Sequence, residues 1–294
     1  MPGWDGILRE LNETMSPSDY VRRKYLQNIS RITGRNTIAY YSAFLSKSGA
    51  PNIDINDLDM TGFMNALREI NCSLGLDLIL HTPGGSPAAA EAIINYLRVK
   101  FDSDIRIIVP QMAMSAGTMM ACAAKEIVMG KQSSLGPIDP QFNGIPAYNI
   151  KQEFEEAKND LAANPQHAQY WAIKLQQYPA AFMKTAVDAI NLSSALVEEW
   201  LGTCMFDKRN PDDVQIISNI VAKLNEHDNS KNHGRHFGID FCKALGLKIV
   251  AMEEDNEFQD AILSLHHAYM LTLGSTDVIK IIENQNGKAV INHG

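Results

Sequence analysis

Short apolar runs alternate with helical stretches over much of the chain, most regularly between residues 76 and 129. The run 76–81 (LDLILH) is apolar at nearly every position, as expected of a strand buried on both faces. A helix over 86–100, a strand over 104–110, a helix over 115–124 and a strand over 126–129 follow. Upstream, Thr37 to Leu45 is β-branched and aromatic and predicts a further strand. In 57–72, Leu58, Phe63, Met64, Leu67 and Ile70 fall near helical spacing. Beyond a short extended stretch at 134–138, the loop around Gly136-Pro137 is too rich in turn formers to continue a helix. Helices are then predicted over 148–163, 167–190, 193–201 and 211–225, with breaks at Asn164-Pro165 and at Asn191-Leu192-Ser193. The stretch 225–234 is the most loop-like in the chain. A helix at 239–246, a strand at 247–252, a helix at 256–273 and two short strands within 278–291 complete the pattern.

Strands of two-sided apolar character alternating with helices imply an α/β fold with a mostly parallel sheet. Residues 1–35 carry only a loose helical period (Ile7, Leu8, Leu11, Tyr20, Val21, Tyr25, Leu26, Ile29) and read as an N-terminal helical arm outside the core. Residues 36–294 form one continuous unit, with 148–225 as a helical extension. The formal charge of −8, with Lys and Arg dispersed, argues against a nucleic-acid partner. Cys72, Cys122, Cys204 and Cys242 are widely spaced and suggest neither a zinc site nor a disulfide framework. No secretory signal precedes the first element, and the apolar stretch 112–124 is too short to span a bilayer and is interrupted by Ser115 and Gly117. A cytoplasmic protein with no integral membrane segment is expected.

The chemistry gathers at two strand ends. Gly84 and Gly85 follow the strand at 76–81, and Ser115 stands where the strand at 104–110 breaks into a helix of small residues. The glycines let backbone approach a substrate, and the amides of Gly85 and Ala116 are candidate oxyanion donors. Ser115 is the candidate nucleophile, its plainer reading being a helix N-cap. Small residues at 113 and 117 suit the close packing of a strained turn, and the dipole of the following helix favours negative charge there. No histidine lies between Ser115 and His167, and His81 is read as a structural hydrogen-bonding residue. A lysine with a pKa lowered by burial is the alternative base. Lys174 and Lys184 are available, Lys184 within the mostly apolar run 180–187. The pair His233 and His236 has no nearby carboxylate in sequence and reads as structural or as a subunit contact. His266 and His267 are adjacent on a helix and point to different faces. No metal site and no cofactor are expected.

Three motifs taken together, Thr-Pro-Gly-Gly-Ser (82–86), Met-Ser-Ala-Gly-Thr (114–118) and Leu-Gly-Pro-Ile-Asp-Pro-Gln (135–141), resemble the serine dehydrogenase proteinase family. That family lies within the signal-peptide-peptidase-A-like and Clp-like serine peptidases. The resemblance runs over about 36–294 and includes Lys280-Ile-Ile-Glu-Asn284. It implies a Clp/crotonase-like spiral of strand–strand–helix units, with Ser115 as nucleophile and Gly84, Gly85 and Ala116 around the oxyanion. It also implies a lysine base. In related archaeal peptidases the catalytic lysine precedes a hydrophobic-x-Glu-Glu-aromatic pattern, and Lys184 precedes Leu196-Val197-Glu198-Glu199-Trp200 at that distance. Lys184 is therefore preferred to Lys174. A Clp-type histidine is missing from its place after the serine, where Pro137, Ile138 and Asp139 stand.

The function so implied is a soluble serine endopeptidase acting on protein or peptide substrates through an acyl-enzyme. Clp-like folds commonly complete their sites between subunits, so a homo-oligomer is expected, with the helical segment 148–201 as interface. A crotonase-like acyl-CoA enzyme would use the same amides on a thioester but needs no serine at the helix start. An inactive oligomeric scaffold is the non-enzymatic alternative. An α/β-hydrolase would need a late Asp…His order for which only loop histidines are present.

Overall fold

The computed structural model describes Ile7, residues 17–225 and residues 233–294. Most of the loop expected at 225–234 lies outside these, as do most of residues 1–16. The strands are β1 (Asn36–Ser42), β2 (Leu76–His81), β3 (Ile105–Val109), β4 (Met112–Ala113), β5 (Glu126–Met129), β6 (Ser134–Leu135), β7 (Gln141–Phe142), β8 (Ile145–Pro146), β9 (Phe237–Gly238), β10 (Ile249–Ala251), β11 (Val278–Asn284) and β12 (Ala289–His293). The α-helices are α1 (Pro17–Thr33), α2 (Asp59–Ala66), α3 (Pro87–Phe101), α4 (Ala116–Cys122), α5 (Ala147–Ala163), α6 (Ala168–Leu175), α7 (Phe182–Trp200), α8 (Pro211–Asn225), α9 (Ile239–Leu245) and α10 (Asn256–Ser275).

Seven strands form the main sheet in the order β10-β5-β3-β2-β1-β11-β12. The first five are parallel, β2 and β3 pairing in the register Leu76 to Ile105, and β11 and β12 close the sheet antiparallel. Side chains alternate between two layers, as strand geometry requires. Leu76, Leu78 and Leu80 join Ile107, Val109 and the helices α3, α4, α7 and α8 on one face. Ile79, Ile108, Val128 and Tyr41 face α1 and α10 on the other. The arrangement is the α/β, Clp/crotonase-like fold that the pattern and the resemblance imply. A second, three-stranded sheet (β4-β6-β9) stands at the carboxyl end of β3, and the start of the helical extension has its own small core around Ala147, Ile150 and Ala186.

Three local expectations need correction. Within the described part of the supposed arm, α1 is a core element, burying Val21, Leu26 and Ile29 against α10. Its Arg22 is buried too, pairing with Glu283 of β11 at 2.7 Å, and Tyr269 donates to the same carboxylate. The helix begun near residue 57 stops at Ala66, before Glu69 takes a positive φ of 63°. In contrast, α7 runs unbroken through Asn191-Leu192-Ser193, because Ser193 turns its hydroxyl back to the carbonyl of Ala189 instead of capping a new helix.

Candidate active site

The loops that leave β2 and β3 are laced together. Thr82 donates its N–H to Met112 and accepts from the Met114 N–H, both at 3.1 Å. Two residues after β4 the chain turns sharply at Ser115, whose φ of 51° and ψ of −118° lie in a region that few non-glycine residues adopt. The Ser115 hydroxyl makes no N-cap hydrogen bond to α4, so the cap reading fails and the oxygen is left for other chemistry. The turn is held by Gly117 N–H to Met114 at 2.8 Å and by the Thr118 hydroxyl, which donates to Ala113 and accepts from the Gly136 N–H.

Gly84 lies directly against this turn. With φ at +102°, a methyl group here would sit 2.6 Å from Ser115 Cβ and 2.7 Å from the Met114 carbonyl oxygen. The sequence-predicted glycines and serine are therefore brought together. Their amides are not equivalent. The Gly84 N–H is taken by the Thr82 hydroxyl at 3.2 Å, so this glycine serves close packing. Its carbonyl accepts from Ile55 N–H, and Ser86 N–H donates to the Ile55 carbonyl. That parallel bridge directs the intervening Gly85 N–H away from Ile55. Among the described residues, no hydrogen bond takes the N–H of Gly85 or of Ala116.

A cleft of about 680 Å³ opens over these groups, walled by Met119, Ile138 and Phe142 and reached by Ser115, Gly85 and His233. His233 Nδ1 lies 2.8 Å from Asp139 Oδ1, and the other Asp139 oxygen accepts from Gln141 at 2.7 Å. Asp139 is buried behind the lining, whereas His233 is partly open to the cleft. The direction of two short strands brings the pair together. β6 and β9 are antiparallel with Leu135 opposite Phe237, so the segment that leaves β6 and the one that enters β9 lie at the same end of this small sheet, where Asp139 and His233 meet.

The lysines sit elsewhere. Lys184 was expected among Phe182, Met183 and Val187 with a depressed pKa; instead its side chain is 77% exposed and its amine is bound to Asp188 at 2.9 Å. The mostly apolar run enters an amphipathic helix at Phe182, and the lysine falls on its outer face. Lys174 pairs with Glu153 at 2.5 Å and lies over the Trp171 ring. The Glu153 carboxylate raises the Lys174 ammonium above its ordinary value, the opposite of what a neutral base needs. Neither lysine lines the cleft. His81 also needs correction. It alternates with Leu80 to the α10 face, where its buried ring packs against Tyr41, Phe44 and His266 with no hydrogen-bond partner on either nitrogen. Burial, and then His266, hold it well below the usual histidine range. No cluster suited to a metal ion occurs among the described residues.

The model of ClpP-like SDH-type serine proteinases matches residues 20–166, half of the chain. The chain belongs to this family. Two uncharacterized proteins of Methanocaldococcus jannaschii are similar to it, one 39% identical over 104 residues and the other 33% identical over 136. These matches cover 35% and 45% of this chain and 36% and 46% of the relatives, so the chain spans less than half of either. The part shared with ClpP-like SDH-type proteinases holds Gly84, Gly85, Ser115, Ala116 and Asp139, and it ends before Lys174, Lys184 and His233. None of the described helices is long and apolar enough to cross a membrane.

Asp139 and His233 are the residues that sequence reasoning passed over. In the sequence Asp139 stands only as the occupant of a missing histidine's place, and His233 only as one of two loop histidines. The order Ser…Asp…His was the available signal, but two-residue strands leave no periodicity by which to pair residues 139 and 233.

Proposed function

We propose that the protein is a serine endopeptidase that hydrolyses peptide bonds through an acyl-enzyme on Ser115. The observation that carries this is the shared cleft, lined by Ser115 with its uncapped hydroxyl, by Gly85 with its unbonded amide and by the aspartate-held His233; the unbonded amide of Ala116 follows the serine in the chain. Asp139 accepts from Nδ1–H of His233, leaving Nε2 as the proton acceptor. Nε2 takes the Ser115 proton as Oγ attacks the scissile carbonyl, and the N–H groups of Gly85 and Ala116 receive the oxyanion. The proton then passes to the leaving amine, and water attacks the ester by the same route in reverse. Apolar walls at Met119, Ile138 and Phe142 suit an apolar residue beside the scissile bond.

The second reading keeps Ser115 and takes Lys184 as base, as the family resemblance implies. It requires that the amine leave Asp188 and reach the cleft, a rearrangement that a neighbouring subunit would have to impose. Exposed apolar residues on α6 and α7 (Tyr170, Ile173, Leu192) support a homo-oligomer formed through the helical extension. Four unpaired thiols support a reducing compartment such as the cytoplasm.

A fluorophosphonate probe with peptide mapping tests the assignment. It should modify Ser115 in the wild-type protein and in Lys184→Ala, and should lose most of its rate in His233→Ala. Loss in Lys184→Ala with retention in His233→Ala would transfer the base to the lysine. Absence of any Ser115 adduct would remove the peptidase reading.

A further inference from the structure

The amide of Gly85 owes its aim to Ile55, and Ile55 is itself held by a buried ion pair. Lys280 of β11 is fully buried; its Nζ donates to the Asp54 carbonyl at 2.7 Å and to Asp59 Oδ1 at 2.8 Å. Asp59, the first residue of α2, accepts at Oδ2 from the Tyr40 hydroxyl at 2.8 Å and from the Asn56 N–H at 3.0 Å. Ser42 of β1 donates to the Ile53 carbonyl at 2.6 Å. Residues 53, 54 and 56 are thus tied down to the sheet. Ile55, between them, turns its N–H and carbonyl the other way, to Gly84 at 2.7 Å and Ser86 at 2.9 Å.

We propose that Lys280 and Asp59 are positioning residues of the active site, fixing the 53–56 segment as the template that aims the Gly85 N–H into the cleft. This rests on Gly85 serving as an oxyanion donor. Two apolar side chains would fill the same space without the desolvation that a buried pair entails, and such replacements are commonly neutral or stabilising. Apolar side chains could not give the Asp54 carbonyl a donor or the Asn56 N–H an acceptor. Burial also lowers the Lys280 pKa, the mark of a charge kept where solvation is poor. What the pair supplies is direction at a segment that touches the glycine corner on both sides. A Gly85 amide displaced by a fraction of an ångström would still bind substrate but would meet the developing oxyanion poorly.

The test uses the full chain and a fluorogenic peptide amide with leucine next to the scissile bond. Lys280→Met alone leaves Asp59 charged and buried and is prone to unfold, so Lys280→Met with Asp59→Asn removes both charges while keeping an acceptor for Asn56. In this double variant kcat should fall about 10- to 100-fold with KM changed by no more than about twofold, a loss confined to the transition state. Fluorophosphonate labelling should slow by the same factor, and Lys280→Arg, which keeps donors at the site, should recover part of the rate. Hydrogen exchange at the Ile55 and Ser86 amides should quicken in the double variant whether or not the enzyme turns over. A folded double variant with wild-type exchange at these two amides overturns the proposal, as does one with kcat within about threefold of wild type. An unlabelled Ser115 in the wild-type protein would instead defeat the peptidase reading, leaving the exchange result to judge the tether.

Discussion

Replacing Gly84 with alanine tests how closely the glycine corner is fitted to the nucleophile. The added methyl would lie 2.6 Å from Ser115 Cβ, whereas carbon atoms in contact prefer about 3.5–4.0 Å. Roughly 1 Å of separation must be found. The Met114 carbonyl, 2.7 Å from the same methyl, accepts the Gly117 N–H and cannot retreat without loosening the first turn of α4. Ser115 must therefore move relative to the amides of Gly85 and Ala116. A misplacement of about 1 Å costs on the order of 100-fold in rate, or about 2.7 kcal/mol of transition-state stabilisation. Separately, φ of +102° costs an alanine about 1–3 kcal/mol of stability. The two effects part company in a control. Gly34→Ala, at φ +66° with open space around it, carries only the conformational penalty. Both variants should melt lower than wild type, and only Gly84→Ala should lose fluorophosphonate labelling and peptide hydrolysis together. If Gly84→Ala labels within about threefold of wild type, the close approach has no bearing on the nucleophile and the reasoning fails.

Asp139→Asn should leave the fold intact but lower kcat by a factor on the order of 10⁴, by presenting the wrong His233 tautomer; a loss of less than about tenfold in peptide hydrolysis would remove Asp139 from the mechanism. Burial holds the His266 ring down to about 3 and His81 well below its ordinary value, so the folded chain stays neutral where the unfolded chain takes up protons, and stability falls as pH drops from about 6.5 towards 3. His81→Phe should reduce that slope by up to about 1.4 kcal/mol per pH unit in urea titrations between pH 6 and 4, and an unchanged slope would show that His81 is not linked to folding. Glu283→Gln leaves the buried Arg22 guanidinium only the half-exposed Asp19 as a charge partner and should cost about 3 kcal/mol in urea unfolding; a cost under about 1 kcal/mol would mean that α1 is not anchored through the Glu283 pair.

The central sheet was legible because its strands obey one rule over many residues. Residues 76–81 and 126–129 are strands at the expected positions, and the helices between them differ by a residue or two at their ends. That Ser115 and the glycines lie together was legible for a related reason, since both stand at the ends of adjacent strands in one parallel sheet. The failures share a cause as well. The outward face of α7 at Lys184 depends on how that helix packs, which an apolar run of eight residues does not reveal. The core role of α1 depends on Glu283, more than 250 positions away, accepting Arg22. The partnership of Asp139 and His233 depends on strands of two residues each, too short to show a period.

Those short strands explain how the proposed triad comes together without a shared motif. In the three-stranded sheet β4 and β6 are parallel, so Ser115, two residues past Ala113, and Asp139, four past Leu135, both leave its carboxyl end. β9 is antiparallel to β6, and its amino-terminal side therefore lies at that same end, which is where His233 enters. Three distant segments are thus delivered to one end of the sheet by strand direction, and Ile138 is further held there by its N–H on the Leu224 carbonyl. So small a ladder has few hydrogen bonds of its own, and burial must hold it: Ala113, Leu135 and Phe237 are all sealed from solvent, with Phe237 stacked on Phe241 at 4.5 Å. Ala113 also ties the small sheet to Thr82, and through Thr82 to the glycine corner. The amides and proton-transfer groups of the proposed mechanism consequently share one support, so a disturbance of that support would change the proposed nucleophile, base and oxyanion hole together.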